Sequence, residues 1–261
     1  MTAQANMIGR PIRDLDTPVL LVDLDKLDRN IARMRQVIIA EAGIGWRPHT
    51  KAIKTPAIAH KLLQAGAHGV TCAKLSEAEV MAAAGIRDIM IANQIVGNAK
   101  ITRLVHLLLH ADIIVAVDCD AQVKALDAAA QAAKTRLRVV VEVNIAMNRA
   151  GVEPGEPVVI LAKQVASCRG LHFAGLMAWE GGRLAELPEP LDVGEVKSLN
   201  LSAEHTTIEL ATARSAPGMG DQVEFVAGYS DSTVFLHDHL YGVRNGCLEA
   251  VWPILGRGKL L

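Results

Sequence analysis

Six short apolar runs, alternating with amphipathic stretches, constrain this chain more than any other feature of its sequence. They fall at 45–49 (GWRPH), 69–73 (GVTCA), 88–93 (DIMIAN), 113–118 (IIVAVD), 139–144 (VVVEVN) and 171–179 (LHFAGLMAW). The segments between them, such as PAIAHKLLQAGA and SEAEVMAAAG, carry apolar residues at helical spacing, and Ser76 and Glu79 have the spacing of a capping box. A strand followed by a helix carrying Leu24, Leu27, Ile31 and Met34 precedes the series. Strand and helix alternating every 20–30 residues or so is the pattern of βα units around a parallel sheet. A closed TIM-type barrel needs eight such units; six predict an incomplete one.

After Trp179 the rhythm stops. EGGRLAELPEPLDVGE reads as a Gly/Pro/acidic linker, and the pattern then changes to strand-like alternation. VKSLNLSAEHTTIELA, DQVEFVAGY, STVFLHDHLYGVRNG and CLEAVWPILGRG read as antiparallel strands with Gly or Asn turns, Asn245-Gly246 among them. The expectation is an α/β fold, with an incomplete (β/α) barrel over 1–182 and a C-terminal antiparallel β domain over 195–261.

Composition agrees with helices packed on a parallel sheet, since 51% of the 261 residues are hydrophobic and only 3% aromatic. A net charge of −1 gives no electrostatic reason to expect nucleic acid or an anionic membrane as partner. His106, His110, Asp112 and Asp118 interrupt the most apolar stretch before it reaches the ~18 residues of a spanning helix. The opening residues lack an apolar signal core. Cys72, Cys119, Cys168 and Cys247 have neither paired nor metal-like spacing, which predicts reduced thiols in a cytoplasmic protein.

In βα barrels the reacting side chains stand at the C-terminal ends of the strands. Lys51 follows the first run, Asn93 and Gln94 end the third, Asn144 to Arg149 follow the fifth, and Trp179 and Glu180 end the sixth. A lysine on a loop is by default a solvated charge. At a strand end it can be desolvated, which frees its amine for carbonyl chemistry. Arg149 would supply a fixed positive charge for an anionic oxygen.

Read together, TPVLLVDLDKLDRNI, RPHTKAIKTPAIAHKLLQAGAHGVTCAKLSEAEVMAAAGI and MNRAGVEPGE closely resemble D-threonine aldolases and D-serine dehydratases, within the alanine-racemase-like pyridoxal-phosphate enzymes. The tail, from LSAEHTTIELA to GYSDSTVFLHDHLYGVRNGCLEAVWPILGRGK, resembles their C-terminal β domain, particularly in the 3-hydroxyaspartate aldolase or dehydratase branch. The resemblance implies a lyase acting on D-3-hydroxy amino acids, by retro-aldol cleavage or by β-elimination, and a homodimer. It implies that Lys51 carries pyridoxal phosphate as a Schiff base, with Arg149, Asn93 and Trp179 among the cofactor contacts. His49, one alternation from Lys51, is a candidate acid or base; a hydrogen-bonded core histidine is the competing reading. A divalent ion (Mg²⁺, Mn²⁺ or Zn²⁺) is implied at Asp231.

The chain also departs from the family pattern. Asn144 stands where aspartate is usual, Trp179-Glu180-Gly181-Gly182 replaces Tyr-Glu-Gly-His, and Tyr229 replaces the histidine of the metal pair. About two barrel units, with a Gly-rich phosphate loop, are missing after Gly182. The resemblance therefore leaves open a shortened relative of weak or absent activity, or a pyridoxal-phosphate carrier. Of the tempting His237, Asp238 and His239, the two histidines are expected on one strand face with the aspartate on the other.

Overall fold

The structure, a computed structural model, describes residues 7–145, 147–179, 188–201, 206–212 and 216–259. Its centre is a five-stranded parallel sheet in the order β2 (Val70–Cys72), β3 (Asp88–Gln94), β4 (Asp112–Val117), β5 (Leu137–Val143) and β6 (Leu171–Ala178). Helix α2 (Pro56–Gln64) precedes the sheet, and each strand leads through a helix to the next: α3 (Leu75–Ala83), α4 (Asn98–Leu107), α5 (Asp120–Ala132) and α6 (Glu156–Ser167). The run at 45–49 lies along the outer edge of β2. There, Thr71 N–H donates to the Pro48 carbonyl at 2.8 Å, Thr50 N–H to the Thr71 carbonyl at 2.8 Å, and His49 bridges Thr71 in parallel. All six expected runs thus line up in sequence order, which is the incomplete βα barrel that the period predicts.

The strands carry apolar side chains on both faces, as a buried parallel sheet requires. One face, with Ile89, Ile91, Ile113, Val115, Val139 and Val141, packs under the helices against Leu104, Val123, Leu126 and Val165. The other face gathers Ile114, Ala116 and Val140 with Met90 and Met177. β6 ends the sheet, and its outer edge has no strand partner among the described residues. Leu176 on that strand is 58% exposed, beside the edge that lacks a strand partner among the described residues.

Two local readings change. Helix α3 starts at Leu75, so Ser76 and Glu79 lie inside it and form no capping box; the carboxylate that meets the helix start is Glu77, which accepts from Ala73 N–H at 2.8 Å. An acidic group in the first turn is favourable there because the helix dipole is positive at that end. The first strand, β1 (Leu20–Asp23), which leads into α1 (Leu24–Met34), does not join the barrel sheet. It pairs in parallel with β11 (His239–Arg244), which pairs antiparallel with β12 (Cys247–Pro253) through the Asn245-Gly246 turn. Both turn residues have positive φ, 51° and 71°, as a type I′ hairpin demands. The sheet at the far end of the chain is therefore completed by its beginning.

The remaining alternation resolves only partly into strands. β8 (Val196–Leu201) and β9 (Thr206–Leu210) form the expected antiparallel pair, and β7 (Glu189–Pro190) pairs with β10 (Phe225–Val226). The stretch from 230, read as a strand, is instead helical: α7 (Ser230–Thr233) followed by a 3₁₀ turn, Val234–Leu236. Ser232 Oγ and Thr233 Oγ1 both donate to the Tyr229 carbonyl, at 3.2 and 2.9 Å, a local bonding pattern that competes with strand pairing. His237 lies outside a strand in consequence, so its expected sharing of a strand face with His239 does not arise. The family departures at 180–182 and the barrel boundary at Gly182 lie outside the described residues.

Candidate active site

The turn that bears Lys51 is fixed from both sides. Before it, the edge strand is held to β2; after it, Ile53 and Lys54 N–H groups both donate to the Thr50 carbonyl. Lys54 takes φ +45°, unusual for a lysine, and its side chain is turned inward. Its ammonium lies 3.8 Å from Glu77 Oε1 and 4.6 Å over the Phe235 ring, while Thr50 Oγ1 donates to the same Glu77 oxygen at 3.0 Å. Gly256 N–H donates to the Lys54 carbonyl at 2.8 Å. This buried cluster ties the Lys51 turn to α3 and to the C-terminal segment.

Lys51 faces outward from the turn, with its side chain 30% exposed. Its Nζ is 3.1 Å from Asp231 Oδ2 and 5.6 Å from the centre of the Trp179 ring, and the Arg149 guanidinium lies 4.4 Å over that ring. One indole thus carries two cations on its electron-rich system, a contact of about 0.5–2 kcal/mol each. Asp231 Oδ2 also accepts from the Tyr229 hydroxyl at 3.0 Å, and this bond raises the phenol above its ordinary pKa. Lys51, Arg149, Trp179 and Asp231, singled out in the sequence from four separate segments, form one connected group. Tyr229 belongs to it too.

Arg149 is carried on a loop closed by hydrogen bonds. The Asn144 amide donates to Asn148 Oδ1 at 2.8 Å and to Glu153 Oε1 at 3.0 Å, and its Oδ1 accepts from Asn148 N–H at 3.1 Å. An aspartate at 144 could not donate to Glu153, which gives a local reason for asparagine. Gly151, at φ +96°, donates from its N–H to Asp118 Oδ2. A Cβ at 151 would lie 2.7 Å from the Asn144 nitrogen.

His49 accepts from the Lys51 N–H at Nδ1, 3.1 Å away, so its neutral form carries the ring hydrogen on Nε2. The residue keeps an exposed edge, but desolvation first, and then the Lys51 charge, push its pKa down to about 4. The folded value lies below the ordinary 6.5, so protons bind the unfolded chain first. His49 therefore costs the fold nothing above pH ~6.5 and withdraws stability as pH falls toward 4. Followed by NMR, its ring protons should titrate well below 6.5; a midpoint at that ordinary value would mean a fully solvated ring.

Asn93, expected among the cofactor contacts, stands at the end of β3 with both ends of its amide engaged by the backbone. Its amide donates to the Ala73 carbonyl at 2.9 Å and its Oδ1 accepts from Gln94 N–H, so its bonds tie β3 to the loop after β2. Gln94 Nε2 donates to the buried Glu142 at 2.5 Å, a second polar pair that the sequence reading did not reach. The β-propensity of VVVEVN hides Glu142 inside a strand, with no spacing signal to mark it.

An anionic aromatic aldehyde fits this donor set: an amine with access to solvent, a guanidinium and an aromatic plate. A divalent ion does not fit it. The Oδ2 of Asp231 is already shared by an ammonium and a phenol, and among the described residues no three His, Cys, Asp or Glu side chains gather to hold one.

Comparison with known proteins gives a consistent picture. The family described as alanine racemase, N-terminal domain, matches residues 22–189. D-threonine aldolase of Arthrobacter sp is 39% identical over 173 residues, 66% of this chain and 45% of that protein. 3-Hydroxy-D-aspartate aldolase of Paracoccus denitrificans (strain Pd 1222) is 36% identical over 224 residues, 84% of this chain and 56% of the other. The crystal structure of D-threonine aldolase from Filomicrobium marinum superposes with a TM-score of 0.91 at 28% identity, over 97% of this chain and 99% of that one. The chain spans about half the length of the curated relatives it matches.

Proposed function

This chain belongs to the alanine racemase N-terminal domain family, and from that premise we propose a pyridoxal-phosphate-dependent lyase acting on D-3-hydroxy amino acids of the D-threonine or 3-hydroxy-D-aspartate type. The observation that carries the reading is the Lys51 amine at a strand end, 3.1 Å from Asp231 and beside the Trp179–Arg149 stack. Pyridoxal phosphate, when bound to Lys51, supplies the electron sink for cleaving a bond next to the substrate's α-carbon. Arg149 provides a permanent positive charge for an anionic oxygen, and Trp179 a flat wall for a ring. Asp231 orients the lysine amine. His49, neutral near pH 7 and with Nδ1 taken by the Lys51 N–H, offers its Nε2–H as a hydrogen-bond donor. The names of the relatives favour retro-aldol cleavage to glycine and an aldehyde, with β-elimination as the sister reaction.

The test is direct. Pyridoxal phosphate added to the purified chain should produce a visible absorption band, and borohydride should remove that band and leave a label on the peptide containing Lys51. D-threonine given to the loaded protein should then yield glycine. A label spread over surface lysines would sink the reading. A second reading is an internally shortened relative, since only six βα runs precede the change of pattern after Trp179: labelling at Lys51 without any glycine would favour that one.

A further inference from the structure

Asp231 Oδ2 is one hydrogen bond from two groups at once, the Lys51 amine at 3.1 Å and the Tyr229 hydroxyl at 3.0 Å. The phenol is held in place from below. Tyr229 has extended backbone, φ −148° and ψ 103°, at the start of α7, and its carbonyl accepts from Ser232 Oγ, Thr233 Oγ1 and Thr233 N–H. With its hydrogen committed to Asp231, the phenol keeps lone pairs free to accept. A 3-hydroxy amino acid whose nitrogen takes the place of the Lys51 nitrogen carries its hydroxyl oxygen on the order of 3 Å away, across one C–N, one C–C and one C–O bond. That oxygen can reach a group anchored on the same carboxylate oxygen as the amine.

We propose that Tyr229 recognises the 3-hydroxyl of the substrate, accepting its hydrogen bond while donating to Asp231, in the position where the family resemblance implied a divalent ion. The proposal rests on the lyase reading and adds to it a specificity-determining residue that works without metal. An acceptor placed for a hydroxyl is left unpaired by an analogue that lacks one, and such analogues bind more weakly.

The experiment compares D-threonine with D-2-aminobutyrate, which has the same carbon skeleton without the hydroxyl, on the pyridoxal-phosphate-loaded chain. Binding is read from the initial shift of the visible band. Wild-type protein should prefer D-threonine by about tenfold, the equivalent of one net hydrogen bond. Tyr229→Phe keeps the ring, so its thermal midpoint should stay near the wild-type value while the preference falls to about one. Chelator or added Mn²⁺ should leave the wild-type ratio unchanged. An unchanged ratio in Tyr229→Phe, or a wild-type ratio abolished by chelator, overturns the assignment while leaving the lyase reading standing. If neither amino acid shifts the wild-type band more than it shifts that of Lys51→Ala, the lyase reading itself falls and takes this proposal with it.

Discussion

In the Lys51→Ala protein, borohydride reduction after incubation with pyridoxal phosphate should leave no labelled active-site peptide, and cleavage of D-threonine should fall below detection. The obvious objection is Lys54, a second amine only three residues along the chain. It cannot take over. Its side chain is buried, its ammonium lies between the Glu77 carboxylate and the Phe235 ring, and its backbone is held by the Gly256 N–H. To reach the Trp179–Arg149 stack it would have to abandon a buried anion, whose exposure to an unpaired state costs several kcal/mol. Labelling at Lys54 in the variant would show that the buried cluster opens far more readily than this geometry allows.

Replacing Glu77 by alanine should destabilise the chain by about 3–5 kcal/mol, the range seen when one partner of a buried ion pair is removed. Glu77 is fully buried and meets three groups: the Lys54 ammonium, the Thr50 hydroxyl and the Ala73 N–H. Alanine would leave a buried ammonium without an anion and a helix start without its acceptor. Glu77→Gln preserves the shape and one acceptor oxygen, and should lose less. Changing both partners, Glu77→Leu with Lys54→Met, should recover a large part of the deficit, since two apolar side chains need no partner. Urea unfolding at constant m-value measures all three. A Glu77→Ala loss below about 1 kcal/mol would mean that water enters the cluster.

Much of the barrel was legible because a buried parallel sheet leaves a strong signature. Ile89, Ile91, Ile113, Val115, Val139 and Val141 are apolar in continuous runs, and amphipathic stretches separate those runs at regular intervals. The partnership of β1 with β11 was not legible, since it joins Leu20 to Leu240 and no local pattern records so distant a pair. The helical turn at 230–233 was missed because alternation in STVFLHDHLYG outweighed the short-range bonding of Ser232 and Thr233. At the site, Lys51, Arg149, Trp179 and Asp231 could be singled out by strand-end position and by resemblance. Lys54 and Glu77 could not, because a buried lysine and a surface lysine are the same letter until the backbone around them is known.

The pairing of β1 with β11 bears on how the protein is made. Leu20 to Asp23 leave the ribosome long before their partners, Leu240 to Val243. Until those partners emerge, β1 is a bare edge beside a growing barrel sheet. Closing so long a loop also makes the final step slow relative to local helix formation. Chaperones that shield strand edges are expected to help such a nascent chain, and yield in a cell-free system should rise when they are supplied.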